Sequence, residues 1–102
     1  MGWIMDTYSM LNGHSTPAVV TGKPIALGGS EGRNEATGRG IMLNTLYICQ
    51  KLGIDIKAAT VTIQGMGNVG SVTAKLLDKE GAKILAVSDV SGGIYNGNGL
   101  NI

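Results

Sequence analysis

A β-branched run, Val61-Thr62-Ile63, leads through Gln64 into Gly65-x-Gly67-x-x-Gly70, and an apolar-periodic helix follows. This order demands that a strand end, turn sharply and become a helix within a few residues. Each glycine has its own task in such a turn. Gly65 permits the tight exit from the strand, Gly67 has no Cβ to hold off an approaching pyrophosphate, and Gly70 lets the helix pack closely on the strand. The helix start then offers unpaired N–H groups and a partial positive charge to the phosphates. A second strand, Lys83 to Ser88, ends in Asp89, at about the 20-residue distance where an acid meets the adenosine ribose. A glycine motif alone is weak. Strand, turn, helix, second strand and terminal acid together predict an α/β, Rossmann-like unit that binds a dinucleotide.

Other elements follow from periodicity and breakers. Gly2 to Leu11 carries Trp3, Ile4, Tyr8 and Leu11 at helical spacing, and Asn12-Gly13 stops it. Pro17 to Thr21 reads as a short extended segment, and Ile25 to Gly32 as a glycine-rich loop. A longer helix is predicted from Arg33 to Leu52, with Met42, Leu46, Cys49 and Leu43 on its buried side and Gly53 as an αL stop. Gly38 and Gly40 weaken the start of that helix by up to ~1 kcal/mol each relative to alanine. Such a cost implies that something approaches the backbone there. The helix after the glycine turn spans Asn68 to Glu80, with Val69, Val72, Thr73, Leu76 and Leu77 on one face. Gly92 to Gly99 reads as turn chemistry around one apolar pair. Two parallel strands and one crossover helix make an incomplete parallel sheet with an unpaired edge after Ser88. That is the expectation for part of a larger chain.

Composition narrows the classes further. A net charge of +1 on 102 residues argues against nucleic acid or an anionic membrane as an obligatory partner. Seventeen glycines without a repeat period exclude collagen and solenoid readings. Cys49 is the only cysteine, so an internal disulfide is impossible and no metal site is expected. The first ten residues lack a basic flank and contain Asp6, no apolar run approaches membrane-spanning length, and a cytoplasmic setting is expected.

Beyond the glycine turn, several segments together resemble the glutamate dehydrogenase family. They are Gly2-Trp-Ile-Met-Asp-Thr-Tyr-Ser9, Val20-Thr-Gly-Lys-Pro24, Gly28-Gly-Ser-Glu-Gly-Arg-Asn-Glu-Ala-Thr-Gly-Arg-Gly40, Gln64-Gly-Met-Gly-Asn-Val-Gly70 and Ser88-Asp-Val-Ser-Gly-Gly-Ile-Tyr-Asn96. The resemblance covers essentially the whole chain. It implies interconversion of L-glutamate with 2-oxoglutarate and ammonia, using NAD or NADP, by a homohexameric enzyme. It places residues 1–16 in a linker helix from a substrate domain, and residues 17–102 in the first part of the cofactor domain. The family's catalytic lysine and aspartate lie upstream of the segment matching Gly2 to Ser9, so no catalytic residue is assigned here. Met66 stands where an aromatic residue is common, Val90 where a serine often follows the acid, and Gly97 where a proline is usual.

Arg33 and Thr37, four apart, share one helix face. By themselves they are an exposed polar first turn. The resemblance makes Thr37 the holder of the nicotinamide carboxamide and sets Arg33 beside the cofactor cleft, while Arg39 suits an ion pair. Gln64 ends a strand at the carboxyl edge, where ligands bind in open α/β sheets, though a solvated glutamine fits as well. Asn68 is a good N-cap, and by resemblance both Asn68 and Val69 line the dinucleotide. Asp89 either closes a strand or accepts from the ribose. With Val90 after it and no arginine from Lys83 to Ile102, NAD is expected over NADP. Lys23, His14 and Cys49 read as a solvent-exposed loop lysine, a solvated turn residue and a core side chain. A non-catalytic nucleotide-binding or regulatory module remains the alternative, and the Arg33 to Gly40 block separates the two, because a sensor has no need of a nicotinamide pocket.

Overall fold

The computed structural model describes all 102 residues. By internal packing they form two units, Met1–Asn34 and Glu35–Ile102.

In the first unit, helix α1 spans Gly2–Asn12 and ends on Gly13, whose φ of 68° is the left-handed stop that glycine tolerates. No side chain of α1 is buried, and Trp3 is 91% exposed. The Ser9 hydroxyl accepts from the Thr16 N–H at 2.9 Å and ties the following loop back to the helix. Pro17–Val19 forms a single 3-10 turn, not an extended segment. Proline at its first position supplies the required φ and lacks only an N–H that would be unpaired there. Lys23 is half-buried rather than solvated, because its ammonium donates to the carbonyls of Pro17 and Val20 at 2.8 and 2.7 Å.

The second unit contains most of helix α2 (Arg33–Leu52), strand β1 (Thr60–Gln64), helix α3 (Asn68–Lys79), β2 (Lys83–Asp89) and β3 (Gly92–Tyr95). Strands β1 and β2 are parallel, from Thr60 opposite Lys83 to Gln64 opposite Ser88. Strand β3 returns antiparallel to β2, pairing Gly92 with Asp89 and Tyr95 with Ala86. The sheet is therefore mixed, in the order β1-β2-β3, and the edge of β2 after Ser88 is covered. The glycine-rich tail hid this strand because Gly92-Gly93 lacks the side chains that signal one. A two-residue turn at Val90-Ser91 makes the pairing local.

Ile84, 1% exposed, centres a core with Met42, Leu77 and Ala82. Helix α3 packs on β1 and β2, burying Ala74 and Leu77. On another side it meets α2, where Gly38 backs onto Val72. Two covering surfaces widen its buried arc beyond a single stripe and leave Val69, in the first turn, exposed. In α2, Met42 is buried, Leu46 and Cys49 are half-buried, and Leu43 is exposed. The buried Thr73 hydroxyl is satisfied within its own helix, donating to the Val69 carbonyl at 2.8 Å. After β3 the chain comes back to the sheet, and the Leu100 N–H donates to the Ile84 carbonyl at 2.7 Å.

Candidate functional site

The turn between β1 and α3 divides its work among three glycines. Gly65 has φ 92°, a left-handed conformation that strains any residue with a Cβ. Its N–H donates to the Ser88 carbonyl at 2.7 Å, carrying the β1–β2 ladder one residue past the strand. A Cβ on Gly70 would overlap the Gly65 carbonyl oxygen. Gly67 differs from both: its φ of −71° is ordinary, and a Cβ there would meet nothing within 4 Å. The chain's own packing gives no reason for glycine at Gly67. Helix α3 begins there with no side-chain cap and no acid in its first turn, so no carboxylate of its own neutralises its positive end.

Gln64, Gly65, Gly67, Asn68, Val69 and Gly70 line one hollow of about 640 Å³, walled by Ile41 and Thr45 of α2 and by Thr73 and Leu77 of α3. None of its lining residues is charged. Thr37 is exposed and lines a neighbouring hollow of about 650 Å³ along α2 with Gly40 and Asn44; Ile41 and Thr45 border both hollows. Those two side chains were missed by sequence reading, since the helical pattern shows them only as members of an apolar and polar mixture. Arg33 is exposed and belongs to the first unit, where it lines a small hollow with Lys23 and Ser30. Arg39 pairs with Glu35 one turn away at 2.8 Å, both side chains about half exposed.

Asp89 stands at the end of β2 on a separate hollow of about 440 Å³, with Met66 of the glycine turn and Ile94 of β3. Its Oδ1 accepts from both the N–H and the hydroxyl of Ser91, at 2.8 and 2.5 Å. The Ser91 hydroxyl, then its N–H, hold the carboxyl below the ordinary carboxylate value; desolvation opposes this and the Gly92 N–H adds to it. An Asp-x-Ser sequence in a turn is a recognisable side-chain-to-backbone motif, and it is the one feature of the sequence that points to Ser91, which sequence reading missed.

Strand, glycine turn, helix and second strand make the opening unit of a Rossmann-like α/β fold. The Glutamate/Leucine/Phenylalanine/Valine dehydrogenase profile matches residues 28–102, and the chain belongs to that family. It is 55% identical over 102 residues to glutamate dehydrogenase A2 of Halobacterium salinarum, covering 100% of this chain and 24% of that protein. It is 50% identical over 101 residues to the NAD-specific glutamate dehydrogenase A of the same organism, covering 99% of this chain and 23% of the relative. Among solved structures, the hetero-hexameric glutamate dehydrogenase of Thermus thermophilus in its leucine-bound form superposes with a TM-score of 0.90 at 46% identity, over 98% of this chain and 24% of that one. The chain thus spans about a quarter of the length of these relatives. No helix is long and apolar enough to cross a membrane.

Proposed function

We propose that these residues supply dinucleotide binding to a glutamate dehydrogenase that uses NAD, in the oxidative deamination of L-glutamate to 2-oxoglutarate and ammonia. The observation that carries this reading is Gly67. A relaxed backbone with open space where a Cβ would point makes sense if a ligand, not the protein, comes close. The relatives' names support the substrate, and one of them supports NAD.

In this reading Gly65 and Gly70 shape the turn, and Gln64, Asn68 and Val69 flank the pyrophosphate. Thr37 holds the carboxamide, Arg33 lies beside the cleft and Asp89 accepts from the adenosine ribose. The bound cofactor supplies the hydride acceptor. These residues bind and orient it, while the groups that handle the substrate's amine and carboxylates come from elsewhere in the polypeptide. Residues 1–16 then form the end of a linker from a substrate domain, and the enzyme assembles as a homohexamer in the cytoplasm. The hexameric Thermus relative supports the subunit number.

The test is NADH titration into the full-length enzyme and its Gly67→Val variant, followed by fluorescence, with glutamate-dependent NADH formation measured alongside. The branched side chain should weaken NADH binding by about tenfold or more, ~1.4 kcal/mol or above. Unchanged affinity in a folded variant would place the cofactor elsewhere.

A further inference from the structure

Asp89 and Gly92 close the antiparallel ladder, and only Val90 and Ser91 lie between them. The two turn residues behave oppositely. Val90 is wholly exposed, whereas Ser91 folds back and gives both its N–H and its hydroxyl to Asp89 Oδ1. An aspartate at an exposed strand end has several staggered orientations open to it. Two donors converging on one oxygen select one of them.

That orientation faces a defined space. Asp89 and Ser91 line the same hollow beside Met66, and the facing positions of β3 are the glycines Gly92 and Gly93, which put no side chain into it. Asp89 is the only charged side chain on its walls. A ribose diol arriving there finds a fixed carboxylate to donate to. A 2′-phosphate finds like charge and no cation. The hydroxyl that could have served a phosphate is committed to Asp89.

We propose that Ser91 is a specificity-determining residue, a positioning group whose hydroxyl fixes the Asp89 carboxylate so that the hollow accepts a free ribose diol and rejects a 2′-phosphorylated one. This rests on the ribose role given to Asp89 above. The Ser91 side chain itself acts through the carboxylate and not on the cofactor.

Steady-state kinetics of the full-length enzyme with NAD and with NADP test it, in Ser91→Ala, Ser91→Thr and Asp89→Ser. Ser91→Ala should raise KM for NAD roughly three- to tenfold, the size of one hydrogen bond at a solvent-facing site. The change should fall on KM rather than kcat, and the NAD:NADP ratio of kcat/KM should drop accordingly. Ser91→Thr, which keeps the hydroxyl, should restore both. An Asp89→Ser variant that shifts the ratio while Ser91→Ala does not would overturn the role of Ser91 and leave the ribose reading standing. If Asp89→Ser also leaves the ratio unmoved, the ribose reading fails and this inference with it. Equal losses with both cofactors in Ser91→Ala would make Ser91 a structural member of the turn and nothing more.

Discussion

Gly38 of α2 lies so close to Val72 of α3 that a Cβ on the glycine would stand 2.7 Å from Val72 Cγ1 and 2.8 Å from Val72 Cβ. The two helices therefore meet over bare backbone, and the cost of a glycine early in α2 is offset by contact between helices rather than by a ligand. Gly40, two residues on, has nothing within 4 Å of a Cβ.

Gly38→Ala should destabilise the protein even though alanine is the better helix former. Valine is stiff at χ1, and its Cβ is fixed to the α3 backbone, so α3 itself must shift. Overpacking of this kind costs about 1–3 kcal/mol, against up to ~1 kcal/mol gained in propensity. Gly40→Ala carries only the gain. Urea denaturation of both variants, with Val72→Ala added to relieve Gly38→Ala, compares them. A stabilising Gly38→Ala would show that the helix crossing is looser than these distances.

In the glycine turn, stability and the proposed binding role fall on different residues. Gly70→Ala drives a methyl into the Gly65 carbonyl and should cost about 3 kcal/mol of stability, at the upper end for overpacking, because the obstacle is backbone. Gly67→Ala meets no obstacle, and should cost only about 0.5–1 kcal/mol as a poorer N-cap while weakening NADH binding. Thermal melts with and without NADH distinguish the two. A large loss of intrinsic stability in Gly67→Ala would remove the reason for placing a ligand there.

Thr37→Val keeps the side-chain shape and removes the hydroxyl. If Thr37 holds the carboxamide, NADH binding should weaken by about 0.5–1.5 kcal/mol, the size of one neutral hydrogen bond. ADP-ribose, which has no nicotinamide, should bind as before. Calorimetric titration of both ligands checks this, and equal losses would move Thr37 out of the nicotinamide pocket.

Asp89 sets a pH expectation. Its carboxyl is held below the ordinary value of 3.8 by the Ser91 donors. A lowered folded value means that the ionised form is the one favoured. Its contribution is complete above the ordinary value and is lost as pH falls through the lowered one. The ratio of NAD affinities between the wild-type enzyme and Asp89→Asn should therefore stay flat from about pH 7 to about pH 5, well above that window. A ratio that collapses near neutrality would mean that a different group controls the ribose end.

Much of the fold is legible in the sequence, and for physical reasons. Helix α2 was bounded by an αL stop at Gly53, and the glycine turn was flanked by a β-branched run and an apolar period. Those signals are local. Strand β3 was not legible, because Gly92-Gly93 carries no alternation and owes its pairing to the outer edge of β2. The close approach expected at Gly38 is there, made by Val72 of α3; a glycine in a helix announces such an approach but not what makes it. Lys23 looked solvated, since the carbonyls that receive it belong to Pro17 and Val20, in a turn whose shape residue types alone did not reveal. The Asp89–Ser91 pair has a signature in the sequence, Asp-x-Ser, but the two bonds to Asp89 Oδ1 follow from the turn into β3, which the sequence does not announce.

The return of the chain to Ile84 has a consequence for synthesis. Leu100 and Ile102 pack against the core that contains Ile84, and the Ile84 carbonyl accepts from the Leu100 N–H. Ribosomes release roughly 5–20 residues per second. For an interval set by that rate, a nascent chain carries β2 before Leu100 and Ile102 can pack, and the core around Ile84 is incomplete. Premature termination before Leu100 would make that interval permanent.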